Sequence, residues 1–181
     1  LENRGDLYTD LTEYELAVAD YTTVLALNPG AGHFYSARGE AYYEMAEIDA
    51  ALADFVEALA LNPDDAETYV LRGLVYYELE DLEAELDDYS SAIELDPEYT
   101  VAYFYRALSY EDLGEPELAL ADYAAALDVN PDYADAYWGR GMLLRELGNL
   151  DEALEDLERY LELSPDASDA DDVLETIGEI K

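Results

Sequence analysis

Residues 100–133 read TVAYFYRALSYEDLGEPELALADYAAALDVNPDY. Val101, Phe104, Tyr105, Leu108 and Leu113 recur at helical spacing, as on a helix with one buried face. Gly114 interrupts that run, and Pro116 stands where a first helical turn tolerates proline. A second run through Leu118, Leu120, Ala124 and Leu127 continues to Asn130-Pro131. The stretch is predicted to be a helical hairpin closed by its proline.

The same design repeats on both sides. Pro29, Pro63, Pro97, Pro131 and Pro165 are each 34 residues apart. Arg4, Arg38, Arg72, Arg106 and Arg140 keep that period and are followed at once by Gly5, Gly39, Gly73, Ala107 and Gly141. A unit of this size is too small to bury its own apolar face, so a period of 34 predicts a solenoid of stacked helix pairs. The units run over residues 1–31 (incomplete at its start), 32–65, 66–99, 100–133 and 134–167. Residues 168–181 are left for a C-terminal capping helix that shields the last hairpin.

The pattern resembles the tetratricopeptide repeat family. Residues 32–65 carry Tyr35, Gly39, Tyr42, Ala51, Phe55, Ala58 and Pro63, and residues 134–167 carry Tyr137, Gly141, Leu144, Gly148, Ala153, Leu157, Tyr160 and Pro165. The resemblance covers nearly the whole chain. It implies an all-α, right-handed superhelical solenoid of antiparallel hairpins that binds protein or peptide and is not an enzyme. The chain departs from the pattern in places: Glu85 replaces a packing alanine, Ala46 and Glu80 replace the inter-helix glycine, the first unit is incomplete, and the periodic arginine stands where the family has leucine.

Composition limits the class of partner. Half of the 181 residues are apolar, enough for a sizeable core. Against 46 Asp and Glu stand 8 Lys and Arg, a net charge of −38, together with 18 tyrosines that a disordered acidic tail would lack. The acid is therefore expected to coat a folded surface. There is no cysteine, hence no disulfide or thiolate metal site. No apolar run approaches the ~18 residues needed to span a bilayer, so no direct membrane insertion is expected. Residues 1–10 carry no signal-peptide pattern. The chain starts at Leu1 without a methionine, which reads as a start partway into a helix and leads us to expect a removed upstream segment. Nothing in the residues assigns a compartment.

An aspartate follows each periodic arginine by sixteen residues: Arg4 with Asp20, Arg38 with Asp54, Arg72 with Asp88, Arg106 with Asp122, and Arg140 with Asp156. We read these as structural ion pairs within or between hairpins. The rival reading is an arginine ladder for phosphate or nucleic acid, which gives no reason for a matched ladder of acids. With five arginines committed, only Arg145, Arg159 and Lys181 are expected to be free, against roughly forty acids. Nucleic acid and anionic membrane are disfavoured as partners. So is the mode in which some relatives clamp a C-terminal carboxylate through basic residues on their first helices.

In the family the first helix of each hairpin lines a concave groove. Carried onto this chain, its inward positions are Glu40 and Tyr43, then Val70, Leu71, Leu74 and Tyr77, then Val101, Phe104, Tyr105 and Leu108, and finally Trp138, Met142 and Arg145. Glu44, Glu67, Glu78, Glu111 and Asp135 would rim it with acid. Such a groove suits a basic, amphipathic peptide or helix, with aromatics as anchors and carboxylates for steering. The alternative for these aromatics is packing between hairpins. The alternative for the chain is a structural or self-assembling scaffold, a homo-oligomer whose groove is filled by its own copies, its acidity reflecting adaptation to high salt.

Catalytic chemistry is not expected. His33 is the only histidine and has no serine or carboxylate at catalytic spacing, so it reads as solvated or lightly packed. Asp64-Asp65 and the acids of residues 169–172 lack the twelve-residue calcium-loop pattern, and no metal site is expected. No phosphate-cradling glycine loop or dinucleotide fingerprint is present, and no cofactor is expected.

Overall fold

In a computed structural model the chain is described at residues 4, 5, 8, 9 and 12–181, and its regular structure there is entirely α-helical. The expected start partway into a helix concerns Leu1, which lies outside the described residues. Contacts divide the chain into two compact units, residues 1–96 and 97–181. The first holds α1 (Tyr14–Leu27), α2 (Gly32–Glu44), α3 (Ile48–Leu61), α4 (Ala66–Glu78) and α5 (Leu82–Leu95). Helical residues Arg4, Gly5, Tyr8 and Thr9 precede α1. The second unit holds α6 (Thr100–Asp112), α7 (Pro116–Val129), α8 (Ala134–Glu146), α9 (Leu150–Leu163) and α10 (Ala170–Ile180). The ten helices among the described residues fit about five repeats, with α2–α3, α4–α5, α6–α7 and α8–α9 as antiparallel hairpins and α10 packed on α9.

The prolines end each second helix. Asn28, Asn62, Asp96, Asn130 and Ser164 precede them with φ between −128° and −138° and ψ between 62° and 95°, outside the helical region that a following proline ring disfavours. Each still donates its own N–H to the carbonyl four residues back. Between the helices of a hairpin, one residue takes left-handed φ: Thr12, Ala46, Glu80, Gly114 and Gly148. The residue after it donates its N–H to the carbonyl of Tyr8, Tyr42, Tyr76, Tyr110 or Leu144, closing a Schellman turn. Ala46 and Glu80 thus keep the geometry that glycine supplies elsewhere, at a cost of ~1 kcal/mol each.

Close helix crossing explains the Arg-Gly pairs. A Cβ on Gly73 would lie 2.5 Å from the buried Tyr89 ring, and one on Gly39 would lie 2.9 Å from Phe55. Beneath these crossings runs a row of wholly buried residues, Ala17, Ala51, Ala119 and Ala153. Glu85 occupies the same row in the third hairpin and is equally enclosed, at 2% exposure. Its Oε1 is cut off from water, in a place where a charge is costly.

Each periodic arginine meets its aspartate inside its own hairpin, first helix to second, which resolves the choice between pairing within and between hairpins. Nε and Nη2 donate to the two carboxylate oxygens at 2.5–2.8 Å in all five pairs. The guanidinium planes of Arg38, Arg72 and Arg106 each lie between two tyrosine rings, three residues before and four after, at 5.5–5.9 Å. Among the described residues Arg4 has Tyr8 alone and Arg140 has Tyr137 alone. The carboxylates are buried, whereas the guanidiniums from Arg38 onward keep a sixth to a quarter of their surface in water. Arg4 holds the Asp20 carboxyl below its ordinary range, whereas burial pushes the Asp88 carboxyl up by more than Arg72 pulls it down.

Arg72→Leu strands Asp88 in that enclosure and is expected to cost about 3–5 kcal/mol in urea unfolding, while Arg72→Leu with Asp88→Leu recovers most of the loss. A single substitution within ~0.5 kcal/mol of the parent would show that the pair holds nothing together.

Candidate functional site

In the first unit the first-helix positions of α2 and α4 differ in exposure. Val70 is buried at 3% and belongs to the core, which corrects its assignment to a ligand-facing surface. Tyr43 and Leu71 are half-buried against the cluster of Ala51, Phe55 and Val75. Leu74 is half-buried, and Tyr77 stands out at 50% exposure. Glu40 on α2 is exposed, its carboxyl raised above the ordinary range first by partial desolvation and then by Glu67 and Glu44. The Tyr14 hydroxyl donates to Glu44 at 3.3 Å, and that tyrosine's own proton is held more tightly through partial desolvation and the same two glutamates of α2. Three carboxylates therefore crowd one another on α2 and α4, the helices that also carry Tyr43, Leu74 and Tyr77.

In the second unit the predicted groove residues are mostly engaged in packing. Phe104 sets its ring 5.6 Å from Tyr133, edge to face, and 6.0 Å from Tyr123, within a cluster that also takes in Leu108. Trp138 and Met142 pack against the cluster that Leu157 and Tyr160 form with Val173 and Ile177 of α10. Arg145 donates to Glu179 at 3.0 Å and is not free. Neither are the other two cations that were expected to be: Arg159 pairs with Asp132 and Glu162, and Lys181 with Glu158. The expectation of three available cations is thereby corrected, because acids on neighbouring elements reach each of them. Val101 and Tyr105 remain half-exposed, and burial and Asp135 push the Tyr105 hydroxyl up.

Glu111, placed on the rim, instead accepts a hydrogen bond from the buried Tyr123 hydroxyl. Burial raises its carboxyl by more than that bond lowers it. Near the C-terminus Tyr160 donates to Asp169 at 2.6 Å, and burial first, then that bond, pushes its hydroxyl up to about 12. His33 is exposed with its ring 4.1 Å from that of Phe34. Among the described residues no three His, Cys, Asp or Glu side chains are grouped to hold a metal ion, and no helix is long and apolar enough to cross a membrane.

Comparison with known proteins fits this architecture. Family models described as tetratricopeptide repeat match residues 3–44, 66–99 and 105–168, and one described as TPR repeat matches residues 39–80. The chain belongs to the tetratricopeptide repeat family, whose members are typically non-enzymatic scaffolds for protein interaction. No curated protein matches it. Among solved structures, MamA is 24% identical, with a TM-score of 0.78 over 89% of this chain and 94% of that one. YrrB, described as a TPR protein with an unusual peptide-binding site, is 26% identical, with a TM-score of 0.72 over 96% and 89%. The first TPR domain of Spaghetti (RPAP3), bound to the HSP90 peptide SRMEEVD, is 31% identical, with a TM-score of 0.59 over 63% of this chain and 90% of that one.

The packing of Phe104 and Trp138 has a measurable consequence. Phe104→Ala and Trp138→Ala are each expected to lower stability by about 2–4 kcal/mol, whereas Tyr77→Ala changes it by less than ~0.5 kcal/mol. Thermal melts of Phe104→Ala and Trp138→Ala that overlay the parent would return both residues to a free surface.

Proposed function

We propose that the chain is an interaction module that takes a basic, amphipathic segment along its first helices, with the α2–α4 face of the first unit as the principal contact. One observation carries the reading: Glu40, Glu44 and Glu67 crowd one another across α2 and α4, the helices that also carry half-buried Tyr43 and exposed Tyr77, while all eight lysines and arginines are spent on ion pairs within the chain. A lysine or arginine of a partner relieves the crowding of those carboxylates, and apolar side chains spaced along the same partner cover Tyr43, Leu74 and Tyr77. Within the second unit, half-exposed Val101 and Tyr105 form a separate, lesser contact surface. The peptide-bound and peptide-binding relatives support the general mode. The acidic SRMEEVD type of ligand does not suit this chain, whose first helices carry no uncommitted cation. No catalytic role is assigned.

A second reading has its own support. The outward side of α9 carries Asp151, Glu152, Glu155, Glu158 and Glu162, away from any first-helix face, so part of the acidity serves the surface as such and suits a high-salt setting.

Calorimetric titration with a helical peptide of alternating lysine and leucine faces separates the two. The peptide reading predicts saturable binding that weakens in molar salt and by about tenfold or more on joint Glu40→Gln and Glu67→Gln substitution. No heat with any basic amphipathic peptide would defeat it and leave salt adaptation as the account of the acid.

A further inference from the structure

The second helices differ sharply in what they show to solvent. On α5 the exposed residues include Glu83, Asp87 and Glu94, and on α3 they include Asp49 and Glu57. On α1, in contrast, no exposed residue from position 16 to position 27 is charged. The exposed side chains there are Leu16, Ala19, Thr22, Thr23, Ala26 and Leu27, with Leu16 at 47% and Leu27 at 80% exposure. Both hydroxyls on this strip are already bonded within the chain: Arg38 donates to Thr22 at 2.9 Å, and Thr23 donates to the Ala19 carbonyl at 3.0 Å. The strip can therefore lose its water without stranding a polar side chain.

We infer that the outer face of α1 is a self-association surface, whose occupant is the α1 of a second copy of this chain. Two features select a copy of itself. First, the spacing is self-complementary. In an antiparallel pair about a two-fold axis between Ala19 and Thr23, the small residues meet at the crossing. Leu16 of each copy then lies beside Ala26 and Leu27 of the other. Second, every lysine and arginine is already paired within the chain, so a second copy approaching elsewhere on the surface meets carboxylates with carboxylates. Along residues 16–27 of α1 it meets none, and the one exposed acid of the helix, Glu15, falls beside Leu27 of the other copy and not beside a second carboxylate. One helix pair is a small contact, below the ~1,000 Å² of a stable interface, so the association is reversible and needs concentrated protein.

The salt dependence has a definite sign. Each copy carries a net charge of −38, and added salt screens their long-range repulsion without touching the uncharged contact, so self-association tightens as salt rises. Binding of a basic peptide has the opposite dependence, and the inference does not rest on that reading.

Sedimentation equilibrium of the full chain, at up to millimolar protein and in low and molar salt, tests it. The expected result is a monomer–dimer equilibrium that tightens with salt and weakens at least about tenfold on Leu16→Glu with Leu27→Glu. Both positions are exposed, so the fold tolerates the change. Leu118→Glu, at an equally exposed leucine on α7, leaves the equilibrium unaltered. A chain that stays monomeric in molar salt, a dimer that survives the paired α1 substitution, or equal weakening by Leu118→Glu would each overturn the inference.

Discussion

The arginine–aspartate pair clamped by tyrosine is the interaction on which the rest of the structure depends. It recurs once per hairpin, with two charge-assisted hydrogen bonds to a buried carboxylate and a tyrosine ring on one face of the guanidinium or, at Arg38, Arg72 and Arg106, on both. Lysine would not serve, because only the planar fork engages both carboxylate oxygens while stacking between rings. The small residue beside the arginine, glycine in four hairpins and Ala107 in the remaining one, keeps the helix crossing close, and the residue four positions on from the arginine, tyrosine in all but the last hairpin, supplies the carbonyl that closes the Schellman turn. Staple, crossing and turn are thus built from one short segment.

This use of arginine shapes the surface. Five of the eight cations are drawn into hairpins, and the remaining three are held by acids on adjacent elements. What the chain offers to other molecules is therefore carboxylate, aromatic ring and scattered exposed leucines, with one stretch, residues 16–27 of α1, whose exposed side chains are all uncharged. A face crowded with glutamate and tyrosine favours a cationic partner, and an uncharged strip favours its own kind. Both follow from where positive charge was spent (the one scarce resource in this composition), and salt moves them in opposite directions.

Much of the fold was legible in the residues because the period of 34 is carried by proline, arginine and glycine, each tied to a specific backbone or charge requirement. The sixteen-residue interval from arginine to aspartate pointed to ion pairing, and the flanking tyrosines at −3 and +4 were visible but went unread as its clamp. The binding face was less legible. Inward positions counted along a helix do not reveal whether a side chain is covered by the next element. Phe104 reaches Tyr133, and Trp138 and Met142 are packed against the cluster that includes residues of α10. Val70 is buried although it shares a repeat position with half-exposed Phe104. The convergence of Glu40 and Glu44 with Glu67 depends on how α4 lies on α2, which spacing along the chain does not express.

If the staples are enclosed and the surface is left with uncompensated acid, salt should weaken repulsion far more than it weakens the ion pairs. The most direct test is the thermal unfolding midpoint of the dilute chain across sodium chloride from millimolar to molar. The account predicts a midpoint that climbs steadily with salt. A midpoint that falls as salt is added would mean that the arginine–aspartate pairs are open to screening, and that the positive charge is not locked inside the hairpins.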